Sequence, residues 1–494
     1  MKKYILSVDQ STQGTKALLF DSCGKLLARE DLSHKQIVNE AGWVSHDLEE
    51  IYGNTVEVIK RVIAKQQIDK NEVAALGISN QRESTAVWDK EGKPCSLSIV
   101  WQCARAKEIA ERLERAGMGE YVHKSTGIPL SPYFPAVKAS WFLENIEGLK
   151  EKAEQGDVCF GTMDSYLLYR LTNGTSFKTD YSNASRTQLF DIGRLCWDEK
   201  ICESLHIPVS CLPEVCDSDS LFGETDLEGY FEQPVPIYSM LGDSHGALFG
   251  QGCLEPGMLK ATYGTGSSIM MNTGSRKIES QVGLVTSLAW KINGQVQYVL
   301  EGNINYTGAT ITWLKDSLGL ILSASETEEL ARKANPEDTT CLVPAFTGLG
   351  APYWKNDARA LIYGMSRLTG KNEIVKAALE SIAFQITDIV LAMEQDYGEK
   401  IRQIRVDGGP TRNRYLMEFQ SDLLGKEVQV PSQEEFSGIG AAYLAGIAAG
   451  MYNKKQLFEN RHRDAYRPTM SLELREKKLG LWREAVNCVI TEKE

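Results

Sequence analysis

The stretch that decides the fold is residues 4–21, which read YILSVDQSTQGTKALLFD. Two mostly apolar segments, residues 4–8 and 16–21, flank a polar turn that contains a glycine. This pattern predicts a β-hairpin. A second hairpin of the same kind is predicted at residues 259–272, where LKATY leads into GTGSS and IMMN returns.

Two similar hairpins half a chain apart suggest two related halves. Glycines and a Glu-Pro-Gly turn cluster at residues 250–256, so we divide the chain into domains 1–250 and 251–494. The 494 residues also exceed the ~250–300 at which a single core stops growing. Strand-like and helix-like segments alternate throughout, which indicates an α/β architecture.

A third unit differs from the hairpins. A short strand at residues 404–406 runs into Asp407-Gly408-Gly409, and a helix is predicted from Asn413 to Gly425. Glycines before a helix let a ligand approach the backbone closely, and the hairpin turns are further candidates for a phosphate cradle. The sequence contains neither a Walker A motif nor G-x-G-x-x-G, which disfavours P-loop enzymes and standard dinucleotide binders.

Composition excludes several classes of protein. The chain has 54 Lys+Arg and 66 Asp+Glu, and this net charge of −12 argues against a broad nucleic-acid surface. Eleven cysteines without a C-x-x-C pair fit reduced thiols. The uncharged stretch 438–453 is shorter than a bilayer span of ~20 residues and predicts a buried helix. We therefore expect a cytoplasmic protein with no membrane or nucleic-acid partner.

Polar residues after predicted strands are the candidates for chemistry. Asp243 follows the apolar segment 236–241 and could accept a proton from a substrate hydroxyl, or simply cap the next helix. Arg82 and Glu83 offer donors and acceptors that suit polyol hydroxyls, although a surface ion pair is the simpler interpretation. Asp9 could hold Mg²⁺ through water.

Aromatic and histidine residues near these candidates have two interpretations. Trp101 and Tyr133 could form the walls of a sugar pocket or belong to the core. His245 follows the candidate base closely, but a lone histidine without a clear partner is more often structural.

Several segments resemble the FGGY carbohydrate kinase family, and most closely its glycerol kinase members. The similarity spans residues 4–470. One family signature fits at Tyr133, Pro135, Lys138, Trp141 and Asn145, but has Ala139 where a large apolar residue is usual. The other matching segments are 179–187 (TDYSNASRT), 247–251, 262–266, 344–354 (PAFTGLGAPYW), 360–380, 406–409 and 419–422.

The resemblance implies two actin-like (ribonuclease-H-like) domains flanking a nucleotide cleft, with ATP and Mg²⁺ between them. The implied activity is phosphorylation of a hydroxyl of a small polyol or sugar. Asp243 would be the catalytic base, and Asp9 and Asp243 would lie beside the metal. The implied substrate residues are Arg82, Glu83, Trp101, Tyr133 and Asp243, and the implied nucleotide and phosphate residues are Thr12, Gln13, Lys16, Thr265, Gly308, Thr312, Gly409 and Asn413.

Departures from glycerol kinase bear on the substrate. A Gln after the catalytic Asp is replaced by Ser244, and an aromatic residue after the Gly-Thr-Gly turn is replaced by Ser268. Smaller side chains leave room, so both serines predict a substrate of four or five carbons. Lys16 stands in place of an Arg and loses its planar fork, and Thr312 replaces a Gln.

Three alternatives remain open at this point: glycerol kinase itself, a pentulose kinase of the xylulokinase type, and an actin/Hsp70-type ATPase module. The presence of both Asp9 and Asp243 favours an active kinase. The segment 227–235 lacks the Gly-Gly-x-Arg loop that binds a sugar bisphosphate in regulated members, so we expect no such control. We also expect a homo-oligomer, either a dimer or a tetramer.

Overall fold

The computed structural model describes residues 2–355, 357–459 and 462–491. Its first half contains fifteen strands and nine helices. The strands are β1 Tyr4–Gln10, β2 Gly14–Phe20, β3 Leu26–Ser33, β4 Ile37–Val38, β5 Val44–His46, β6 Val73–Asn80, β7 Thr85–Asp89, β8 Ser98–Ile99, β9 Val158–Thr162, β10 Lys178–Asp180, β11 Phe190–Asp191, β12 Cys196–Trp197, β13 Glu214–Cys216, β14 Gly223–Thr225 and β15 Val235–Gly242. The helices are α1 Leu48–Gln66, α2 Lys107–Arg115, α3 Gly119–Thr126, α4 Pro135–Asn145, α5 Leu149–Glu154, α6 Met163–Leu171, α7 Tyr181–Ala184, α8 Glu199–Ser204 and α9 Asp243–Gly250.

The second half continues the numbering. Its strands are β16 Leu259–Tyr263, β17 Ser267–Gly274, β18 Val285–Ile292, β19 Gln295–Ile304, β20 Cys341–Val343, β21 Leu361–Tyr363, β22 Gln403–Asp407, β23 Glu427–Pro431 and β24 Arg463–Tyr466. Its helices are α10 Gly308–Asp316, α11 Glu326–Lys333, α12 Lys371–Tyr397, α13 Arg414–Leu424, α14 Phe436–Ala448, α15 Lys454–Glu459 and α16 Leu472–Ile490. Single 3₁₀ turns occur at Lys70–Glu72, Val209–Cys211 and Gly409–Arg412.

The two large sheets share one plan. The first has the order β14-β15-β6-β1-β2-β3, and the second has the order β18-β19-β17-β16-β22-β23-β24. In each sheet an antiparallel hairpin, β1–β2 or β16–β17, is followed by two parallel strands on the side of its first strand. This repeat confirms both predicted hairpins and the α/β fold with two actin-like halves.

Burial follows the strand arrangement. Strands β1 and β6 lie in the middle of their sheet, and nearly all their side chains are buried, as expected for parallel strands that are covered on both faces. The predicted third unit also forms, since β22 ends at Asp407 and α13 begins after Asn413 and ends before Gly425.

Helix α14 joins the two halves. It lies late in the sequence, yet it packs against β1, β6 and β15 of the first sheet and against α9. The two helices approach so closely that a Cβ atom on Gly440 would lie 1.9 Å from the carbonyl oxygen of Gly246. The contact holds α9, whose first residue is Asp243, between the sheets. The division at residue 250 stays a prediction.

The helix predicted from its apolar residues is present. The uncharged stretch 438–453 largely forms the buried helix α14. In α16, Leu479 and Trp482 are buried in the second core, whereas Leu472 is 70% exposed. Across the described ranges, no helix combines the length and the apolar character that spanning a bilayer requires.

Candidate active site

Asp243 lies where strand β15 passes directly into helix α9. Its side chain is 38% exposed, and its Oδ1 atom lies 3.2 Å from Nε of Arg82. The backbone N–H of Ser244 donates to the same oxygen at 2.6 Å. The carboxylate is therefore held by one backbone donor and by the neighbouring guanidinium charge, and it is still open to solvent, as a proton acceptor in a cleft must be.

Arg82 and Glu83 belong to a buried cluster of four charges. Nη1 and Nη2 of Arg82 donate to the two carboxylate oxygens of Glu301 at 2.9 and 2.8 Å. Nε of Arg186 donates to Oε1 of Glu83 at 2.6 Å, and its Nη1 lies 3.1 Å from Glu301. The four side chains are at most 6% exposed. The surface ion pair considered from the sequence is therefore wrong.

Charges in this cluster stabilise one another. Burial by itself would lower the pKa of Arg82, but the carboxylates of Glu301 and Glu83 raise it. Burial would raise the pKa of Glu301, but Arg186 and Arg82 hold it well below its usual range. Arg82 and Glu301 are therefore expected to stay ionised, which keeps their donors and acceptors fixed in direction.

Trp101 and Tyr133 lie together beside this cluster. Their ring centroids are 5.5 Å apart. The indole Nε1 of Trp101 donates to the hydroxyl of Thr12 at 2.9 Å, which ties this aromatic wall to the turn of the first hairpin. Gln13 in the same turn is exposed.

The carboxylate of Asp9 is on β1 and is 5% exposed. Ser79 donates to it at 3.1 Å, and Nζ of Lys16 lies 3.7 Å away. Burial raises the pKa of Asp9 to about 6, with Lys16 opposing this and the carboxylates of Glu435 and Asp243 adding to it. A bound cation would relieve the repulsion that these two carboxylates exert on Asp9.

Lys16 has a second carboxylate partner. Its Nζ donates to Glu435 at 2.5 Å, and the other oxygen of Glu435 accepts from Arg29, also at 2.5 Å. Burial would lower the pKa of Lys16, but Asp9 and Glu435 outweigh it and raise the pKa. Lys16 is therefore held cationic beside Asp9.

The chemistry of the donors suits Mg²⁺. In the described part of the chain, no three His, Cys, Asp or Glu side chains are grouped as an all-protein metal site. Mg²⁺ usually takes only one or two carboxylates and completes its shell with phosphates and water. Asp9 and the half-open Asp243 supply two carboxylates of this kind.

The nucleotide candidates lie around the second hairpin. The backbone N–H of Gly308 donates to Gly264 O at 2.9 Å, and that of Ala309 donates to Thr265 O at 3.0 Å, so α10 begins on the hairpin turn. Thr265 is exposed there. Thr312 is exposed one turn further along α10 and bonds to Gly308 O.

Gly408 and Gly409 lie beside the same hairpin, because β22 pairs with β16. Gly408 has φ +99°, and a Cβ atom there would lie 1.9 Å from the carbonyl oxygen of Tyr263. Only a glycine therefore allows the two backbone segments to approach this closely. Gly409 faces open space. Oδ1 of Asn413 caps α13 by accepting from Leu416 N–H at 3.0 Å, and its Nδ2 donates to Thr327, so both ends of this amide already have protein partners.

Ser268 is placed across β17 and β19 from Asn303, whose amide donates to Glu301 at 3.1 Å. Nζ of the buried Lys260 lies 3.5 Å from the hydroxyl of Ser268. Ser268 of the second half thus lies on the strand beside the one that carries Glu301, the partner of Arg82. Ser244 is next to Asp243 and partly exposed.

His245 is buried next to the candidate base, and its structural role stays a prediction. Its side chain is fully buried, and its pKa is lowered by burial and by the nearby Arg82. Within the described residues, neither ring nitrogen has a hydrogen-bond partner. The ring is therefore expected to stay neutral behind the candidate base.

Sequence reasoning missed four side chains that hold the site together: Arg186, Glu301, Lys138 and Glu435. Arg186 and Lys138 lie inside the segments that carry the family resemblance, which was an available signal. Glu301 and Glu435 gave none, because their partners are 219 and 419 residues away in sequence.

Comparisons with known proteins support the resemblance. Residues 4–250 match the FGGY family of carbohydrate kinases, N-terminal domain. Residues 259–449 match the C-terminal domain of the same family. Together the two matches cover most of the chain.

The most similar relatives share that family. The chain is 46% identical over 490 residues to a glycerol kinase of Alkaliphilus oremlandii, covering 99% of this chain and 97% of the relative. It is equally identical to "Glycerol kinase 2" of Thermotoga maritima, with 98% of each chain covered. The crystal structure of Plasmodium falciparum glycerol kinase with ADP superposes with a TM-score of 0.93 at 34% identity, with 99% of both chains covered.

Proposed function

Since the chain belongs to the FGGY family of carbohydrate kinases and is therefore an ATP-dependent phosphotransferase, we propose that it transfers the γ-phosphoryl group of ATP to a hydroxyl of glycerol. The observation that carries this proposal is the 46% identity to glycerol kinases over nearly the whole of both chains. The same observation favours glycerol over the larger polyol expected from the sequence, and over a pentulose or a non-catalytic ATPase module.

Arg82 and Glu83 are proposed to bind the polyol hydroxyls, and Trp101 and Tyr133 to cover its carbon chain. A fixed cation and a fixed carboxylate supply the donors and acceptors that adjacent hydroxyls require. Because Glu301 and Arg186 hold both side chains in place, little conformational entropy is lost when the polyol binds.

Asp243 is proposed to be the general base. Its carboxylate takes the proton of the attacking hydroxyl, whose oxygen forms a bond to the γ-phosphorus. The bond from that phosphorus to the bridging oxygen breaks, and ADP leaves with the electron pair. Nε of Arg82 lies 3.2 Å from Oδ1 of Asp243 and places a positive charge beside the proposed base.

Lys16 is proposed to stabilise the negative charge of the transferring group, with Thr12 and Gln13 beside it. A fixed ammonium at that position acts as preorganised electrostatic stabilisation. Asp9 and Asp243 would hold Mg²⁺, which, when bound, neutralises the charge of the ATP phosphates. Thr265, Gly308, Thr312, Gly409 and Asn413 are proposed to contact the nucleotide.

A four- or five-carbon polyol is the second candidate substrate. The observation that favours it is Ser268, whose hydroxyl lies 3.5 Å from Nζ of Lys260 and which pairs across the strands with Asn303, a donor to Glu301. These groups would offer partners for an additional hydroxyl. The homo-oligomeric state also remains a proposal.

The test is ADP release from ATP and Mg²⁺ with glycerol, tetritols, pentitols, tetruloses and pentuloses, with Asp243→Asn as the control. We expect glycerol to give the highest kcat/KM and Asp243→Asn to reduce kcat by about 10²–10⁴-fold. A pentulose that exceeds glycerol would refute the proposed substrate. Full activity in Asp243→Asn would refute the proposed base.

A second variant addresses the pocket. Ser268→Phe fills the space beside Lys260 and should reduce turnover of any four-carbon polyol while leaving that of glycerol. If the variant changes both substrates equally, Ser268 does not line the substrate site.

A further inference from the structure

The side chain of Lys138 is completely buried in helix α4, and its ammonium lies among three main-chain carbonyls. Nζ donates to the carbonyl oxygens of Tyr133 at 2.6 Å, Trp101 at 3.2 Å and Glu83 at 3.4 Å. An ammonium has three N–H donors and no acceptor, so three carbonyls match its full capacity.

The three carbonyls come from three separate segments. Glu83 lies between β6 and β7, Trp101 follows β8, and Tyr133 precedes α4. These are the residues assigned above to the polyol, and Lys138 contacts the backbone of each. A single side chain therefore fixes the relative positions of three parts of one proposed binding site.

The backbone at Glu83 needs such support. Its φ is +62°, in the left-handed region, and the N–H of Ser84 donates to Arg82 O at 2.7 Å, which closes a γ-turn centred on Glu83. A non-glycine residue in this conformation is strained and persists only when its surroundings hold it. Lys138 and the hydroxyl of Thr85, at 3.2 Å, both donate to the carbonyl of this residue.

An ordinary buried ion pair would not explain Lys138. Among the residues that the structure describes, no carboxylate forms an ion pair with the ammonium of Lys138. The nearby Glu83 is paired with Arg82 and Arg186 instead. Burial lowers the pKa of Lys138 to about 7, opposed by the charge of Glu83. Burying the ammonium of Lys138 costs desolvation free energy, and its hydrogen bonds go only to the backbone. Such a cation is expected where it holds a particular backbone geometry.

We propose that Lys138 is a positioning residue that fixes the main-chain segments presenting Glu83, Trp101 and Tyr133 to the polyol. The inference rests on the proposed function, because it uses the substrate roles assigned there. Lys138 itself does not contact the reacting atoms. Its loss should therefore weaken polyol binding and leave the nucleotide residues of the second half, Thr265, Gly308 and Thr312, unchanged.

The experiment compares Lys138→Met with Phe142→Leu in the full-length protein. Methionine keeps the length of the side chain and removes its donors. Phe142 is fully buried one turn further along the same helix and has no polar atom that could bond to the three carbonyls, so its variant reproduces a loss of packing alone. The readouts are KM for glycerol, or for the best substrate of the panel, KM for ATP, kcat and the thermal midpoint.

We expect Lys138→Met to raise KM for the polyol at least tenfold, with KM for ATP within twofold of the wild type. Phe142→Leu should lower the thermal midpoint and leave both KM values within twofold. An unchanged polyol KM in Lys138→Met overturns the inference, as does an equal rise of both KM values.

Lys138→Gln replaces Lys138→Met if the latter is insoluble. Glutamine keeps an N–H donor on a shorter, uncharged side chain. We therefore expect this variant to have a KM for the polyol at least threefold above that of the wild type. A KM for the polyol within twofold of the wild type overturns the inference. A wild-type protein that phosphorylates no polyol would refute the proposed function instead. Wild-type activity with normal KM values in the variants would refute only the role of Lys138.

Discussion

Arg82 and Glu301 form a bidentate ion pair between the two halves of the molecule, with N–O distances of 2.9 and 2.8 Å. Arg82 follows β6 of the first sheet, and Glu301 lies on β19 of the second. Both side chains are almost completely buried. The proposed polyol-binding arginine is therefore oriented by a carboxylate that the opposite half supplies.

Glu301→Gln tests this connection. The variant leaves Arg82 and Arg186 buried with a neutral partner, so Arg82 should lose its fixed orientation. We expect kcat/KM for the polyol to fall about 30- to 100-fold, equivalent to about 2–3 kcal/mol, measured by steady-state kinetics. Glu394→Gln removes a buried carboxylate that pairs with Lys426 and serves as the control. An equal loss in both variants would contradict a specific role for Glu301.

Lys16→Met tests the phosphate side of the site. If Lys16 stabilises the transferring group, kcat should fall about 10²- to 10³-fold while KM for the polyol stays near its wild-type value. Arg29→Met is the matched control, because Arg29 bonds to the same Glu435 but forms no contact with Asp9 within the described ion pairs. Similar kinetics for the two variants would show that their shared contact with Glu435 matters rather than the position of Lys16.

Ala139→Val should stabilise the protein. Ala139, where the family usually has a large apolar residue, lines a cavity of about 20 Å³ together with Phe160, Leu189 and Trp197. Filling such a cavity typically adds about 0.5–1 kcal/mol, so the thermal midpoint should rise by about 1–2 °C. Ala136→Val, on the same helix but away from the cavity, should lower the midpoint through overpacking. A lower midpoint for Ala139→Val would mean that the cavity cannot take two methyl groups.

Asp388→Asn should change stability in a pH-dependent way. Asp388 accepts from Tyr353 and Trp482 at 2.8 and 2.6 Å, and burial raises its pKa to about 6. A raised pKa means that the folded state disfavours the ionised carboxylate. The ionised Asp388 therefore destabilises the folded protein fully above pH 6. This destabilisation is relieved as the pH falls toward about 4, the pKa of an Asp in the unfolded chain.

The asparagine introduced by this substitution is neutral and lacks that cost. We expect the variant to be more stable than the wild type by about 1–2 kcal/mol at pH 7.5, with the difference shrinking by pH 5. Thermal midpoints of both proteins across this range are the measurement. A difference that does not depend on pH would show that Asp388 is ionised without penalty.

Local patterns predicted much of the fold. Both hairpins form, at residues 4–20 and 259–274, because apolar strands around a polar turn need only near neighbours to pair. The helix between Asn413 and Gly425 begins and ends at these residues for the same reason, since capping is decided within a few positions.

The sequence was less informative about residues whose type suits contact with a ligand and contact with the protein equally well. Gly408 was interpreted as a site of close ligand approach, but it approaches the backbone of Tyr263. Asn413 stays a proposed nucleotide contact, and its amide also serves the protein by bonding to Leu416 and Thr327. Contact with a ligand and contact with the protein favour the same residue types, so composition does not separate them.

By itself, the sequence determined the repeated strand plan, the family and the location of Asp9, Arg82 and Asp243 at strand ends. Only the tertiary structure decided what holds these groups. Glu301 lies 219 residues from Arg82, and Glu435 lies 419 residues from Lys16. Electrostatic and hydrogen-bond energies depend on distance in space, and a linear pattern carries no measure of that distance once the chain has folded back on itself.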